Sequence, residues 1–482
     1  MSRSPGSPRR RLGPAAGRAG RPGNVATSRW SAAVGTTFAS LRVRNFRLFF
    51  IGQLISQIGT WLTTVALTLL VLHRTGSGMA IGALVACQFG PVLLLGAYGG
   101  VVADRSDKRR LLLITQTLEM AQSFTLGVLA FLPHAPLAAF YLTALAGGTM
   151  LAFDNPVRRS FVAEMVPEQD VQNAVTLNSA LMTSARIFGP ALGGVLVVTA
   201  GYGWAFTLDA ASYAAVIAAL AMMRTTELRR PPRTSRARGQ VREGLRYVRD
   251  QPELRVPLIM MAIVGTFTFN FGVVLPLFAE RTLHGSDTTY TLLYSVLSVG
   301  SVAGALLAAS RRSIEVVHLV VAAAAFGAAM TLLAAMPGVG SAFPVAVLVG
   351  FTSVVFMTSS TAIVQLRAAP AMRGRVLALQ AMVLIGSTPI GGPILGAVCD
   401  QLGARSGLVL GGAAAVVAAL YGRLASRRGA ERGADGAPQR PIPTTPDYEP
   451  VQDGGRLARN APIPSWASSA MALRAITDRA RS

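Results

Sequence analysis

Four acidic residues and one arginine lie inside long apolar stretches of the sequence, where a charge is costly and usually has a function. They are Glu119, Asp154, Asp209, Glu280 and Arg186. A carboxyl group in apolar surroundings can bind and release a proton, because burial disfavours its charged form. We expect Glu119, about 12 Å inside its stretch at 1.5 Å per residue, to be the first candidate for proton coupling, ahead of Asp209 and Asp154. Arg186 stays charged, so it should pair with Glu119 or Asp154, or hold an anionic substrate.

Polar residues recur at a spacing of three or four positions in the first apolar stretch. They are Gln53, Ser56, Gln57 and Thr60. This spacing predicts one helix face that lines a cavity or contacts a neighbouring helix. Asn270, in a later stretch, could join this face. A mostly apolar cavity with few hydrogen-bonding groups would suit an amphipathic organic molecule.

The sequence indicates no catalytic, metal or cofactor chemistry. The four histidines are not spaced as metal ligands, and the two cysteines, Cys87 and Cys399, fall in apolar runs and are expected to be packing residues. The only lysine, Lys108, is followed by Arg109 and not by serine or threonine, so the lysine-containing phosphate loop of nucleotide hydrolases is absent. We therefore predict no enzyme and no cofactor, and an ion gradient as the energy source.

Membrane-spanning helices are the elements that must position these residues. Of the 482 residues 51% are hydrophobic and 14% are charged, whereas a soluble domain carries about 25% charged residues. A spanning helix needs about 20 largely apolar residues, and the sequence contains twelve such runs, which predict an all-α membrane protein. Their approximate bounds are 46–72, 80–103, 111–132, 135–154, 172–199, 204–223, 256–279, 289–310, 315–336, 342–366, 375–399 and 406–424.

The basic residues predict the orientation of these spans. With a cytoplasmic amino terminus, 41 of the 45 basic residues fall on the inside and three (Arg74, Arg281 and Arg405) on the outside. This asymmetry is typical of plasma-membrane proteins and predicts that both termini are cytoplasmic. The net charge of +23 comes from short arginine clusters between apolar runs, so it does not indicate a nucleic-acid partner.

An internal repeat divides the spans into two groups of six. Gly189-Pro190-Ala191-Leu192-Gly193 matches Gly392-Pro393-Ile394-Leu395-Gly396 at an offset of 203 residues. Two related six-helix halves around a central cavity are typical of secondary transporters. The predicted organisation is a disordered basic tail (1–45), a first half (46–223), a cytoplasmic linker (224–255), a second half (256–424) and a disordered tail (425–482).

Two pairs of glycines at a spacing of four residues predict close contacts between helices. They are Gly96 with Gly100 in the second span and Gly300 with Gly304 in the eighth. Glycine allows helix backbones to approach each other closely. In a transporter the same contacts could slide as the two halves move.

The segment from Gly100 to Arg109, between the second and third spans, resembles the inner-loop signature of the major facilitator superfamily, Gly-x-x-x-Asp-Arg-x-Gly-Arg-Lys. Asp107 departs from this pattern, which has glycine at that position. The resemblance implies the major facilitator fold, and a cytoplasmic charge latch between the halves that contains Asp104, Arg105 and Arg109 and begins at Gly100. A simple positively charged loop is the alternative interpretation.

Gly189-Pro190-Ala191-Leu192-Gly193-Gly194 resembles the fifth-span motif of exporters of the same superfamily. The motif implies a bent helix with a smooth face along which another helix can lie closely. Asp154-Asn155-Pro156-Val157-Arg158 and Arg373-Gly374-Arg375-Val376 are similar to the enterobactin-exporter and macrolide-efflux branch of drug:proton antiporters. Other branches carry an arginine within the fourth span, and we expect none in the span at 135–154.

The resemblance implies a secondary transporter that exports an amphipathic small molecule, such as an antibiotic, drug or siderophore-like compound, against proton entry. The alternative is a proton-coupled uptake symporter for a small nutrient on the same fold. The expected partners are the small-molecule substrate, protons and the lipid bilayer, and the expected working unit is a monomer.

Overall fold

The computed structural model describes residues 38–229, 240–310 and 314–434, and these residues form helices joined by short turns, with no strand among them. The chain divides into a compact unit, Met1–Ala430, and a second unit that begins at Glu431. The greater part of both predicted tails lies outside the described residues, as do 230–239 of the predicted linker.

Every predicted span corresponds to helix in the structure. The first six are α1 (Arg44–Thr75), α2 (Gly78–Arg105), α3 (Lys108–Phe131), α4 (Leu137–Phe161), α5 (Val171–Ala200) and α6 (Tyr202–Ala221). A short helix, α7 (Gln240–Asp250), precedes the broken seventh span, which consists of α8 (Pro252–Phe267), α9 (Phe271–Leu277) and a π-helical turn (Phe278–Thr282). The last five are α10 (Asp287–Ser310), α11 (Val316–Ala335), α12 (Val339–Arg367), α13 (Pro370–Leu402) and α14 (Ala404–Ala434).

Ten candidate spans among the described residues are long and apolar enough to cross a membrane. The two predicted spans that are not among these ten are α3 and α5. Gln116, Glu119 and Gln122 lower the mean hydropathy of α3, and in α5 only Phe188–Ala200 forms a continuous apolar stretch. Polar groups in these two helices must therefore be covered by other helices, because lipid cannot satisfy their hydrogen bonds.

The helices pack in two groups. In the first group α1 contacts α5 and α6, α2 contacts α4, and α3 contacts α4 and α6. In the second group α12 contacts α10 and α11, and α13 contacts α8. Two helix pairs, α2 with α13 and α5 with α10, make the largest contacts between the groups, and α9 also contacts α1 and α2.

The contact between α2 and α13 includes a close backbone approach at one end. We name the end that contains the α1–α2 connection (Gly76–Ser77) the outer end, because the sequence predicts it to be extracellular, and the opposite end the inner end. At the outer end, Gly78 lies against the backbone of Gly396. At the inner end, a methyl group added to Gly100 of α2 or Gly374 of α13 would meet no atom of the described residues within 4 Å. The two groups are therefore in close backbone contact at the outer end, whereas neither of these inner-end glycines makes such a contact.

One of the two predicted glycine contacts is present. Gly300 and Gly304 lie against the α12 backbone at Val347 and Phe351. The prediction for Gly96 and Gly100 is wrong, because α2 turns Gly99, not these glycines, toward the α4 backbone at Ala152.

The three arginines predicted outside have local structural roles that explain why they interrupt the charge pattern. Arg74 donates to the carbonyl of Ala135 (2.6 Å), and Arg405 donates to that of Met336 (3.3 Å). Arg281 donates to the carbonyl of Gly76. Each guanidinium therefore binds a backbone acceptor at a connection between helices.

Candidate functional site

A face of α3 carries the polar residues around which the candidate site is built. Thr115, Gln116, Glu119 and Ser123 are all buried, and their spacing places them along one side of the helix over two turns. The side chains that meet this face come from α1, α4 and α6. The site therefore lies within the first group of helices.

Asp154 of α4 is the centre of the first cluster on this face. Its carboxylate is fully buried and accepts hydrogen bonds from Oγ1 of Thr115 (3.0 Å) and Nε2 of Gln116 (3.0 Å). It also forms an ion pair with Arg158, one helical turn later, whose side chain is 9% exposed. Nε2 of Gln116 donates to Oε2 of Glu119 as well (2.8 Å), so one amide links two carboxyl groups.

The expectation that the fourth span contains no arginine is wrong. The helix continues past the predicted end at residue 154 to Phe161, so that Arg158 lies inside it. Pro156 does not end α4, although it lies inside the helix. The continuation is stabilised by apolar packing, since Val157 and Phe161 are fully buried and the ring of Phe161 meets that of Phe49 edge-on, 5.9 Å between centroids. The apolar residues beyond Pro156 were the feature of the sequence that indicated a longer fourth helix.

Asp209 of α6 is the centre of the second cluster. Its Oδ2 accepts hydrogen bonds from Oγ1 of Thr63 in α1 (2.6 Å) and Oγ of Ser123 in α3 (2.6 Å). Ser212 lies one turn later and donates to the backbone carbonyl of Asp209 (2.7 Å). Gly59 allows α1 to come this close, because a methyl group there would lie 2.5 Å from Oδ1 of Asp209.

The described side chains of these two clusters contain three carboxyl groups and one guanidinium. Glu119, Asp154 and Asp209 are at most 6% exposed, and Arg158 is the cation among them. Ionisation of all three acids would leave an excess of negative charge in a medium that solvates charge poorly. A bound proton would reduce this excess, so the arrangement can exchange protons. Buried Oε1 of Gln116 and Nε of Arg158 have no hydrogen-bond partner among the described residues, and such atoms normally bind water.

The other residues predicted to line a cavity are distributed over both groups. Gln53 is fully buried, with neither amide atom bonded within the described part of the chain, whereas Gln57 is half-buried. Asn270 lies in the break between α8 and α9, where its Nδ2 donates to the carbonyl of Thr266 (2.7 Å) and its buried Oδ1 has no partner in the described ranges. The side chain of Arg186 lies outside the described side chains, so its predicted pairing is not tested.

The predicted latch residues lie at the inner end of α2 and the start of α3. Asp104 is half-buried and Arg105 is exposed. Arg109 donates to the carbonyls of Leu220 (2.7 Å) and Ala221 (3.3 Å) at the end of α6. In this arrangement Arg109 binds its own group of helices.

The exporter-like motif of α5 faces two different helices. Gly189 lies against Trp61 and Gly193 against Leu62, both on α1, whereas Gly194 lies against Thr291 of α10. Pro190 is buried inside the helix. The motif therefore provides the smooth face expected from the sequence toward α1, and also a contact between the two groups.

No set of three or more His, Cys, Asp or Glu side chains in the described ranges could hold a metal ion. Two groups of membrane-spanning helices, in contact mainly at α2–α13 and α5–α10, are the architecture of the major facilitator fold. A family profile described as transmembrane secretion effector matches residues 35–452. The chain belongs to this family of the major facilitator superfamily, which consists of membrane transporters and not enzymes.

Curated relatives are similar to this chain at low identity. The staphyloferrin A transporter of Staphylococcus aureus is 22% identical over 54% of this chain, and the match spans 66% of that protein. The multidrug efflux pump Tap of Mycobacterium tuberculosis is 24% identical over 82% of this chain and 96% of its own length. Macrolide efflux protein A of Streptococcus pyogenes is 21% identical over 76% of this chain and 92% of its own length.

A solved structure of a bacterial homologue of the human lysosomal transporter Spinster, inward-facing and unoccupied, has the same fold. It superposes with a TM-score of 0.61 at 16% identity, covering 80% of this chain and 96% of that one. The likeness supports the multi-pass major facilitator architecture predicted from the sequence.

Proposed function

We propose that this protein exports an amphipathic small molecule across the plasma membrane in exchange for protons, working as a monomer with both termini in the cytoplasm. Relatives named for multidrug efflux and macrolide efflux support export, and a relative named for staphyloferrin A adds siderophore-like compounds to the candidate substrates. The positive-inside pattern supports the orientation. A single chain supplies both groups of helices, which supports the monomer.

The observation that carries the proposal is the excess of buried carboxyl groups over guanidinium groups in the network of α3, α4 and α6. Glu119 is the first candidate for the proton carrier, because its hydrogen bond within the described part of the chain comes from the neutral amide of Gln116. Asp154 is already paired with Arg158 and has two further donors, so it is the least available. Asp209, with two short hydroxyl bonds, is the second candidate.

Substrate binding is assigned to polar side chains that come from both groups of helices. Gln53 and Gln57 on α1 would supply hydrogen bonds from the first group, and Asn270 from the second. The break at Asn270 supports this role, since interrupted helices often line transport sites. Arg186 remains a candidate to hold an anionic substrate.

The inner latch is proposed for the state in which the inner end closes. Gly100, Asp104 and Arg105 lie at the inner end of α2, where their approach to α13 would occlude the cytoplasmic mouth of a transport path. Arg109 would hold the start of α3 against α6 during this movement. Gly189, Pro190, Gly193 and Gly194 would keep α5 close to α1 and α10.

Everted membrane vesicles with an acidic interior test the proposal, using a panel of fluorescent amphipathic dyes, a macrolide and a ferric siderophore. An exporter accumulates at least one panel compound in the lumen, and a protonophore abolishes the accumulation. An uptake symporter would instead accumulate it in whole cells, which would contradict the proposal.

Variants of the two acids separate proton coupling from binding. Glu119→Gln and Asp209→Asn should lose proton-driven accumulation but keep exchange of labelled for unlabelled substrate, which requires no net proton movement. Glu227→Gln, an exposed acid outside the network, is the matched control. Normal proton-driven accumulation in both acid variants would refute the assignment of the proton site.

A further inference from the structure

A carboxylate near the end of α13 binds the first residues of α2 at the outer end. Asp400 accepts hydrogen bonds from the backbone N–H of Gly78 (2.7 Å) and of Met79 (2.9 Å). It also accepts one from Oγ of Ser77 (2.7 Å). The first N–H groups of a helix lack partners within the helix and carry partial positive charge, so a carboxylate is favourable there.

Arg281 completes this contact from the π-helical turn after α9. Its guanidinium forms an ion pair with Asp400 (Nη2 to Oδ1, 2.9 Å) and donates to the carbonyl of Gly76. It also donates to the carbonyl of Cys399 (3.4 Å). Arg281 therefore binds the carbonyl of Gly76, which follows α1. Asp400 binds the N–H groups of Gly78 and Met79, with which α2 begins. We name these residues, Asp400 and Arg281 with the segment Gly76–Met79, the outer clasp.

The backbones of α2 and α13 are in contact beneath the outer clasp. Separation of these two helices therefore requires the clasp to break. Gly78 lies against Gly396, and a methyl group on Gly82 would lie 2.5 Å from the carbonyl oxygen of Gly392. Gly392 and Gly396 belong to the second copy of the repeated Gly-Pro motif. The motif copy in α13, and not the copy in α5, thus makes the tightest backbone contact with α2.

The other pair of helices that joins the groups has fewer polar contacts at this end. Gly194 of α5 lies against Thr291 of α10, and the ion pair nearby, between His73 and Asp287 (3.1 Å), comes from α1 and not from α5. By comparison, the outer clasp combines an ion pair, two backbone bonds to a carboxylate and a hydroxyl bond. Hydrogen bonds to charged groups are stronger than neutral ones.

We propose that Asp400 and Arg281 are the gate residues of the outer mouth, and that their release from Gly76–Met79 sets how often the transport path opens outward. They act through helix ends and are positioning residues that need not touch substrate. The inference rests on the chain being a transporter that opens at alternate ends, and it does not depend on proton coupling or on the direction of transport.

Labelling of a buried cysteine beneath the outer clasp tests the proposal. Val85 of α2 is 7% exposed and would lie 3.3 Å from a methyl group on Gly392. Val85→Cys is introduced after the natural cysteines are removed by Cys87→Ser and Cys399→Ala. A membrane-impermeant maleimide is applied to whole cells, and labelling is normalised to the amount of inserted protein.

Asp400→Asn should raise the rate of labelling by about tenfold, the factor expected for loss of one hydrogen bond to a charged group. Arg281→Gln should also raise it, and the double variant should exceed the larger single effect only slightly, because both changes break the same pair. Asp400→Glu, which keeps the carboxylate, should stay within about threefold of the parent. Glu280→Gln, which removes an exposed negative charge beside Arg281, is the matched control and should have no effect.

A charge reversal separates the ion pair from the helix-end contact. Asp400→Arg with Arg281→Asp restores opposite charges but places a cation at the start of α2, so labelling should stay fast. Closure of the gate in this double variant, or labelling of Asp400→Asn and Arg281→Gln at the control rate, would overturn the proposal. Labelling in everted vesicles reports the orientation separately, so a wrong orientation is distinguished from a wrong gate.

Discussion

Replacement of Arg158 by methionine should destabilise the protein strongly. The guanidinium is paired with Asp154, whose carboxylate is fully buried. Methionine keeps most of the length of the side chain and its apolar packing, so the change removes mainly the charge. The remaining cluster would contain three carboxyl groups and no described cation.

The size of the effect follows from the environment of Asp154. Removal of one partner from a buried ion pair costs about 3 to 5 kcal/mol, because the other charge stays buried without compensation. Thr115 and Gln116 continue to donate to Asp154, so we expect the lower end, about 3 kcal/mol.

Unfolding in mixed micelles, followed by tryptophan fluorescence, measures this loss. Arg159→Met is the matched control, because Arg159 is the next residue and is exposed; it should change stability by less than about 0.5 kcal/mol. Asp154→Leu combined with Arg158→Met should recover most of the loss, because apolar residues can replace a buried ion pair with little cost. Equal stability of Arg158→Met and Arg159→Met would refute the assignment of a buried pair.

Two further substitutions test the close contacts between helices. Gly59→Ala should destabilise the protein by about 1 to 3 kcal/mol, because the methyl group would lie 2.5 Å from Oδ1 of Asp209; unchanged unfolding in the same micelle assay would contradict this packing. Gly350→Ala should have at least as large an effect, since the methyl group would meet the α10 backbone at Leu297. Gly340→Ala in the same helix, which faces no described atom within 4 Å, should be neutral or slightly stabilising. Similar losses of stability in Gly350→Ala and Gly340→Ala would refute the close approach of α10 and α12.

The positions of the long helices could be predicted from the sequence, because a bilayer imposes a length and an apolar composition on each spanning helix. The ends of the spans were harder to predict. The fourth span was predicted to end near residue 154, but α4 continues through Pro156. A proline inside a helix removes only one backbone bond, and neighbouring helices cover the break. This single boundary kept Arg158 out of the predicted site.

The acids of the site were found in the sequence, whereas most of their partners were not. Charge in an apolar run is conspicuous, so Glu119, Asp154 and Asp209 stood out individually. Thr63 and Ser123 bind Asp209 from positions 146 and 86 residues away in the chain. Hydroxyl groups are common in such helices and usually bond to their own backbone, so nothing local distinguishes these two.

The sequence contained a weaker indication of the outer clasp. Arg281 was one of three basic residues on the predicted outer side, and an exception to a strong pattern indicates a specific local role. Asp400 directly follows the predicted span at 375–399 and was not singled out in the sequence. A pairing of the two requires the crossing of α2 and α13, which no local pattern contains.

Buried charge is distributed unevenly between the two groups of helices. Among the described residues, the buried acidic and basic side chains are Asp154, Arg158, Glu119, Glu164 and Asp209, all between α3 and α6. Buried polar side chains of the second group are neutral amides and hydroxyls, such as Asn270 and the Gln380–Ser360 pair (3.0 Å). A proton taken up by the first group of helices changes the charge of that group and not of the second group. The electrostatic field along the path would then differ between the protonated and deprotonated states, which is a physical basis for coupling proton binding to movement of the substrate.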